Sequence, residues 1–234
     1  MKKLITFVIS TLVLTMPIIC MAVPTPPNGG GNSSSSSTTS YNGATTLSAS
    51  GSYDSKTYTS TTASQNALLV SGGTSTLSNC TINKSGDSTD ENSDFYGTNA
   101  AVLVYNGSTL NISGGTITTN GGHANGVFAY GTGIINISNA TIKTSSNNSG
   151  GVMVTGGGTL NAKDCNVTTD GNSSASIRSD RGGGTLTVNG GTYTTNGVGS
   201  PSIYSTANIT VNDAELVSTA SEGAVVEGAN SITL

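Results

Sequence analysis

Tryptophan is absent from the sequence, histidine occurs once, and charged residues make up only 9% of the 234-residue chain. Each shortage excludes something. Lys and Arg total 8 with no basic run, so the clustered cations that hold a phosphate backbone are missing, which argues against a nucleic-acid partner. A lone histidine cannot build a zinc site by itself. Beyond the N-terminus no apolar run is long enough to span a bilayer. Low charge with 32 glycines would suit a disordered chain, but Val, Ile and Leu recur in order through residues 68–234, which a disordered chain does not require.

The first segment reads as a secretory leader. Lys2 and Lys3 precede an apolar stretch from Leu4 to Ile19, and Cys20-Met21-Ala22 supplies the small residues that suit cleavage after Ala22. Ile19, standing where a lipoprotein signal wants a small residue, argues against lipidation of Cys20. Residues 1–22 are therefore expected to be a signal peptide, and the mature chain to be secreted or held at the cell surface. Residues 23–40, rich in Pro, Gly and Ser, read as a flexible linker. Residues 41–65 are expected to form an N-terminal cap or an irregular first coil.

Residues 106–121 read NGSTLNISGGTITTNG and residues 182–197 read GGGTLTVNGGTYTTNG. The likeness is one instance of a repeat. An apolar position recurs at Leu77, Ile112, Ile137, Ala162, Val188, Val211 and Leu234, with spacings of 35, 25, 25, 26, 23 and 23. Five residues later comes a second column: Ile82, Ile117, Ile142, Val167, Tyr193 and Leu216. Upstream, Leu68/Val70, Val102/Val104, Val127/Ala129, Val152/Val154, Ile177 and Ile203 form a third. Within each run the apolar residues alternate, the period of a strand. Each unit holds about three short strands, cannot bury its own apolar face, and must stack on its neighbours. Between the last two strands stand Asn79, Gly114, Asn139, Asp164, Gly190 and Asp213, residue types that tolerate a left-handed corner. Stacked Asn side chains are expected to add hydrogen bonds from coil to coil.

The predicted fold class is all-β: a single-stranded parallel β-helix over residues 66–234, with about seven coils of 23–26 residues and one longer first coil. Cys80, Gly115, Ala140, Cys165, Gly191 and Ala214 fall in one inward column of small residues. Three coils separate the two cysteines, about 14 Å at about 4.8 Å per coil, too far for a disulfide. Both are expected to be free and buried. Leu234 falls on a core column in mid-coil. This end is expected to be uncapped, covered either by a partner or by a continuation of the chain.

With these phrases and corners the sequence resembles the secreted, adhesin-like β-helix proteins of bacteria, which share the pectin-lyase-like fold. The resemblance implies a right-handed helix. It also implies a choice of roles, since lyases, hydrolases, adhesins and passive stalks all use this fold.

Several residues carry candidate chemistry. The loop SGDSTDENSDFYG holds Asp87, Asp90, Glu91 and Asp94, oxygen ligands of the kind calcium takes, although their spacing matches no helix-loop-helix calcium motif. A solvated insertion loop is the simpler reading, and no other cofactor is indicated. His123, in GGHANG, reads as a turn residue, because nothing in the sequence places an Asp or Ser beside it. Arg178, Asp180 and Arg181 form the densest charge of the coils and read as surface ion pairs. Thr116-Ile117-Thr118 and Thr192-Tyr193-Thr194 are similar to the ranks of ice-binding β-helices, but Asn83, Lys143, Asn166 and Val217 break them.

One outward face of the first strands collects Leu103, Tyr105, Phe128, Tyr130, Met153, Arg178, Asp180 and Tyr204 in register. An exposed aromatic strip ending in an Arg–Asp pair suits a sugar ring or a partner's sheet face. The competing reading is that a loop, or residues 41–65, covers the strip as a secondary core. The expected function is a non-enzymatic adhesin passenger, stalk or surface that binds a glycan or a protein partner. The alternatives are a polysaccharide lyase or hydrolase and, more distantly, an ice-binding protein.

Overall fold

The computed structural model describes residues 39–234. The expected leader over 1–22 lies outside them, as does the expected linker over 23–40 apart from its last two residues. The alternating runs become strands, and every strand pairs in parallel with its counterpart one coil away. First strands make an eight-stranded sheet: Gly43–Leu47, Asn66–Val70, Val102–Val104, Val127–Tyr130, Val152–Thr155, Ile177–Ser179, Ile203–Ser205 and Ala224–Val226. Second and third strands share another sheet. They are separate in the early coils (Thr109–Ser113 then Thr116–Thr119, for example) and fuse through the corner in Gly158–Thr169 and Gly184–Thr195. The chain is thus a β-solenoid of about eight turns. Residues 41–65, expected as a cap or an irregular coil, contribute a regular coil of three strands, Gly43–Leu47, Gly51–Asp54 and Thr57–Ser60, that pairs with the next.

The register is the one the columns foretold. Leu77 pairs with Ile112, Ile112 with Ile137, Ile137 with Ala162, Ala162 with Val188 and Val188 with Val211. These residues and the other two columns fill a continuous interior. At the C-terminal end Ile232 is half-buried, whereas Leu234 is 76% exposed. Cys80 and Cys165 are free and buried. All six corner residues have positive φ, from 50° at Asp164 to 70° at Gly190. At Gly191, which follows one of these corners, φ is +90° and an added Cβ would lie 2.2 Å from the carbonyl oxygen of Cys165, so the coils approach too closely there for any side chain.

Amide stacking occurs at a corner, where Asn212 donates to Asn189 at 2.9 Å, and also one strand earlier. Asn136 donates to Asn111 and Asn161 to Asn136, each at 2.9 Å, on the outward face of the second strands. A corner device that the sequence reading missed is a serine ladder. Backbone N–H groups of Ala124, Ser149 and Ser174 donate to the hydroxyls of Ser149, Ser174 and Ser200, at 2.9–3.0 Å. Each hydroxyl in turn donates within its own coil or to the coil before, and so holds the turn that leads into the first strand.

Tyr193 stands in a column where the adjacent coils place Val167 and Leu216 and where the first coil also places a tyrosine, Tyr58. It is fully buried, and its hydroxyl has no hydrogen-bond partner among the described residues. Burial raises the phenol pKa far above its ordinary value. An orphan buried hydroxyl costs about 1–3 kcal/mol. Tyr193→Phe keeps the ring and removes the orphan, so chemical denaturation should show a gain of about 1 kcal/mol. A loss of stability would mean that the hydroxyl is satisfied after all.

Candidate functional site

The long first spacing has a structural purpose. Residues 85–100 leave the solenoid after the third strand Thr81–Lys84, form one short helix, Asn92–Tyr96, and lie across the first-strand sheet as a lid. The Asp90 carboxylate accepts the N–H of Asn92 at 2.9 Å, and Gly97 ends the helix with φ +71°. Two buried asparagines stitch the lid down. Asn66 donates to the carbonyls of Gly97 and Ala100, both at 2.8 Å, and Asn99 donates to those of Gly86 and Gly122. A Cβ on Gly97 would sit 2.8 Å from both Phe128 and Leu103, so the end of the helix rests directly on them.

Beneath it, Leu69, Ala100, Leu103, Phe128 and Met153 form a second, smaller core. Leu103, Phe128 and Met153 have no exposed surface, which corrects the expectation that they form an open binding strip. Register along that face holds: Leu103 pairs with Phe128, Phe128 with Met153, Met153 with Arg178 and Arg178 with Tyr204. What the sequence could not place was the lid over its first half. The partly exposed edge of this core is aromatic, with Tyr41, Tyr105 and Tyr130 packed against it and Tyr96 set edge-on to Tyr130.

Where the lid ends, the same face opens into a cleft of about 400 Å³, lined chiefly by Asp94, His123, Asn148, Arg178, Asp180 and Tyr204. Asp94, on the helix, is the organiser. One of its carboxylate oxygens lies 2.8 Å from His123 Nδ1, and the other lies 3.8 Å from Arg178 Nη1. Arg178 also donates from Nη2 to Asp180 at 3.0 Å. The far nitrogen of His123 is 3.2 Å from the side-chain amide nitrogen of Asn148. Asn125 leans on Asp94 and accepts the N–H of Gly150. Arg181 lies over the Phe95 ring at 3.7 Å, and the Phe95 carbonyl accepts from Thr155. Burial, and then the hydrogen-bonding Glu227 carboxylate, push the Tyr204 phenol up to about 12.

Two expectations change here. His123 is not an isolated turn residue, even though its φ of +54° does place it at a corner. Arg178 is not a solvated surface cation, since its side chain is 13% exposed and bridges two carboxylates. The four acidic candidates for calcium do not converge. Asp87 accepts the N–H of Gly122, Asp90 accepts that of Asn92, Glu91 is exposed, and Asp94 holds His123. Among the described residues no three His, Cys, Asp or Glu side chains are grouped as metal ligands. The Thr ranks stand in register on the third strands, with Lys143 and Asn166 interrupting them between Thr116 and Thr192. No described helix is long and apolar enough to cross a membrane.

No protein-family model, curated protein or solved structure matches the chain.

Proposed function

We propose that the chain is a non-enzymatic β-helix of the cell exterior, an adhesin passenger or stalk, that binds a surface glycan or a protein partner at the cleft beside the lid. One observation carries this reading. Most of the groups in the cleft that could do chemistry are already engaged with one another: His123 sits between Asp94 and Asn148, and Arg178 donates from Nη2 to Asp180, while its Nη1, 3.8 Å from Asp94, has no hydrogen-bond partner among the described residues. A general base needs a free nitrogen or oxygen within reach of the substrate's proton. Groups that are mutually bonded instead make a stiff polar wall, and Tyr204 beside it offers a ring to a flat or hydroxylated ligand.

A second reading, a polysaccharide lyase or hydrolase, gains from the same cleft. It brings Asp94 of the lid, His123 of one coil, and Arg178 and Asp180 of another onto one face. The two readings part in a single pair of assays, binding to glycan panels and cell surfaces alongside release of reducing ends from acidic polysaccharides with and without calcium. The expected result is binding that falls at least about tenfold in Arg178→Ala, or about 1.4 kcal/mol, with no turnover. Turnover that Arg178→Ala abolishes would replace the proposal with the enzymatic reading.

A further inference from the structure

The tyrosines at the edge of the small core invite a separate inference. Tyr41 precedes the first coil, Tyr105 follows the first strand of the third coil, Tyr130 lies one coil further on, and Tyr96 closes the lid helix. Ring centroids are 4.4 Å apart for Tyr41 and Tyr105, 5.5 Å for Tyr96 and Tyr130, and 6.1 Å for Tyr41 and Tyr130. All four are only partly buried. Four of the chain's 8 tyrosines thus form one connected group.

We infer that Tyr41 and Tyr105 are a built site for oxidative cross-linking, and that hydrogen peroxide acting through a one-electron oxidant such as a peroxidase joins them as dityrosine. Each phenol gives up one electron and one proton to become a tyrosyl radical. The two radicals couple through ring carbons ortho to the oxygens, forming one carbon–carbon bond, and the rings regain aromaticity with both hydroxyls restored. Overall the protein loses two hydrogen atoms and one peroxide is reduced to two waters. The 4.4 Å centroid separation, with ring planes inclined at 44°, already brings the two rings against each other without a change of fold. A radical first formed on Tyr130 or Tyr96 has a short path to the pair.

The location gives the bond a consequence. Among the described residues Gly43–Leu47 is the end strand of its sheet, paired only with Asn66–Val70, and terminal units of a stacked array open first. The two described cysteines, buried three coils apart, cannot staple this end. A Tyr41–Tyr105 bond would close a loop of 64 residues and tie the flank of the first coil to the third.

The test treats the dilute folded protein with hydrogen peroxide and a peroxidase. Monomer that has lost two hydrogens, that fluoresces as dityrosine, and whose digest contains a Tyr41–Tyr105 linked peptide is the expected result. Both Tyr41→Phe and Tyr105→Phe keep the ring packing and should remove the linked peptide, while Tyr53→Phe should leave it. Dityrosine found only in dimers and larger species overturns the inference. So does a monomer cross-link that survives in both Phe variants, or a folded protein that stays uncoupled while free tyrosine in the same tube reacts.

Discussion

Phe128→Ala should lower the stability of the solenoid by about 3–5 kcal/mol, the usual cost of emptying an aromatic site in a core. The ring has no exposed surface and is held between Leu103 and Met153 along the sheet, with Gly97 of the lid resting on it. No other side chain can move in, because the sheet below is fixed by backbone pairing and the lid above is tied by Asn66 and Asn99. The variant should melt far below the wild type, and the loosened lid should admit an apolar dye. Tyr105→Ser, at the partly exposed edge of the same cluster, should cost much less. A Phe128→Ala protein that melts with the wild type would mean the lid does not cover this face in solution.

The second large effect concerns Lys84. It ends a third strand at a position where the next coils place Thr119, Thr144 and Thr169, and its side chain is 2% exposed. Its ammonium donates to the carbonyls of Thr62, Ser85 and Gly86. Burial lowers its pKa from 10.5 to about 8, with nearby Asp87 opposing the shift. Between about 8 and 10.5 the unfolded chain keeps a proton that the folded chain has released, so Lys84 makes stability rise with pH across that window. Lys84→Met has no such group. Measured at pH 7 and at about pH 9.5, the stability difference between the two proteins should move toward the wild type by about 2 kcal/mol. Taking the difference also cancels the opposing contribution of Cys165, whose thiol burial pushes up. Parallel pH profiles for the two proteins would show that Lys84 keeps its charge throughout.

The repeating parts of the molecule were legible in the sequence for a simple reason. Leu77, Ile82 and Asn79 each solve a problem posed again in every coil, so their successors fall at nearly constant spacing, and six corners out of six adopt the left-handed backbone. The parts that break the repeat were not legible. Asp94 and His123 are 29 residues apart and meet only because a short helix folds back across the sheet. No period announces such a meeting. The strip of Leu103, Phe128 and Met153 was placed in register from alternation alone, but alternation says which way a side chain points and not what lies above it. Asparagine stacking was expected at the corners and occurs both there, between Asn212 and Asn189, and on the second strands, at Asn111, Asn136 and Asn161. The orphan hydroxyl of Tyr193 and the carbonyl cage of Lys84 depend on three-dimensional placement and were not legible either.

The lid also changes how the array can come apart. In a plain stack each coil touches only its two neighbours, so any coil is free to open with the end it belongs to, and melting spreads one unit at a time. Here the Phe95 carbonyl is held by Thr155, 60 residues further on, and Asp94 reaches His123 and Arg178 in different coils. One segment inserted after the second coil therefore grips strands as far along as Ile177–Ser179. Opening any one of these coils breaks contacts that belong to all of them, so this stretch behaves as a single cooperative block, with ordinary nearest-neighbour coupling left to the coils beyond it.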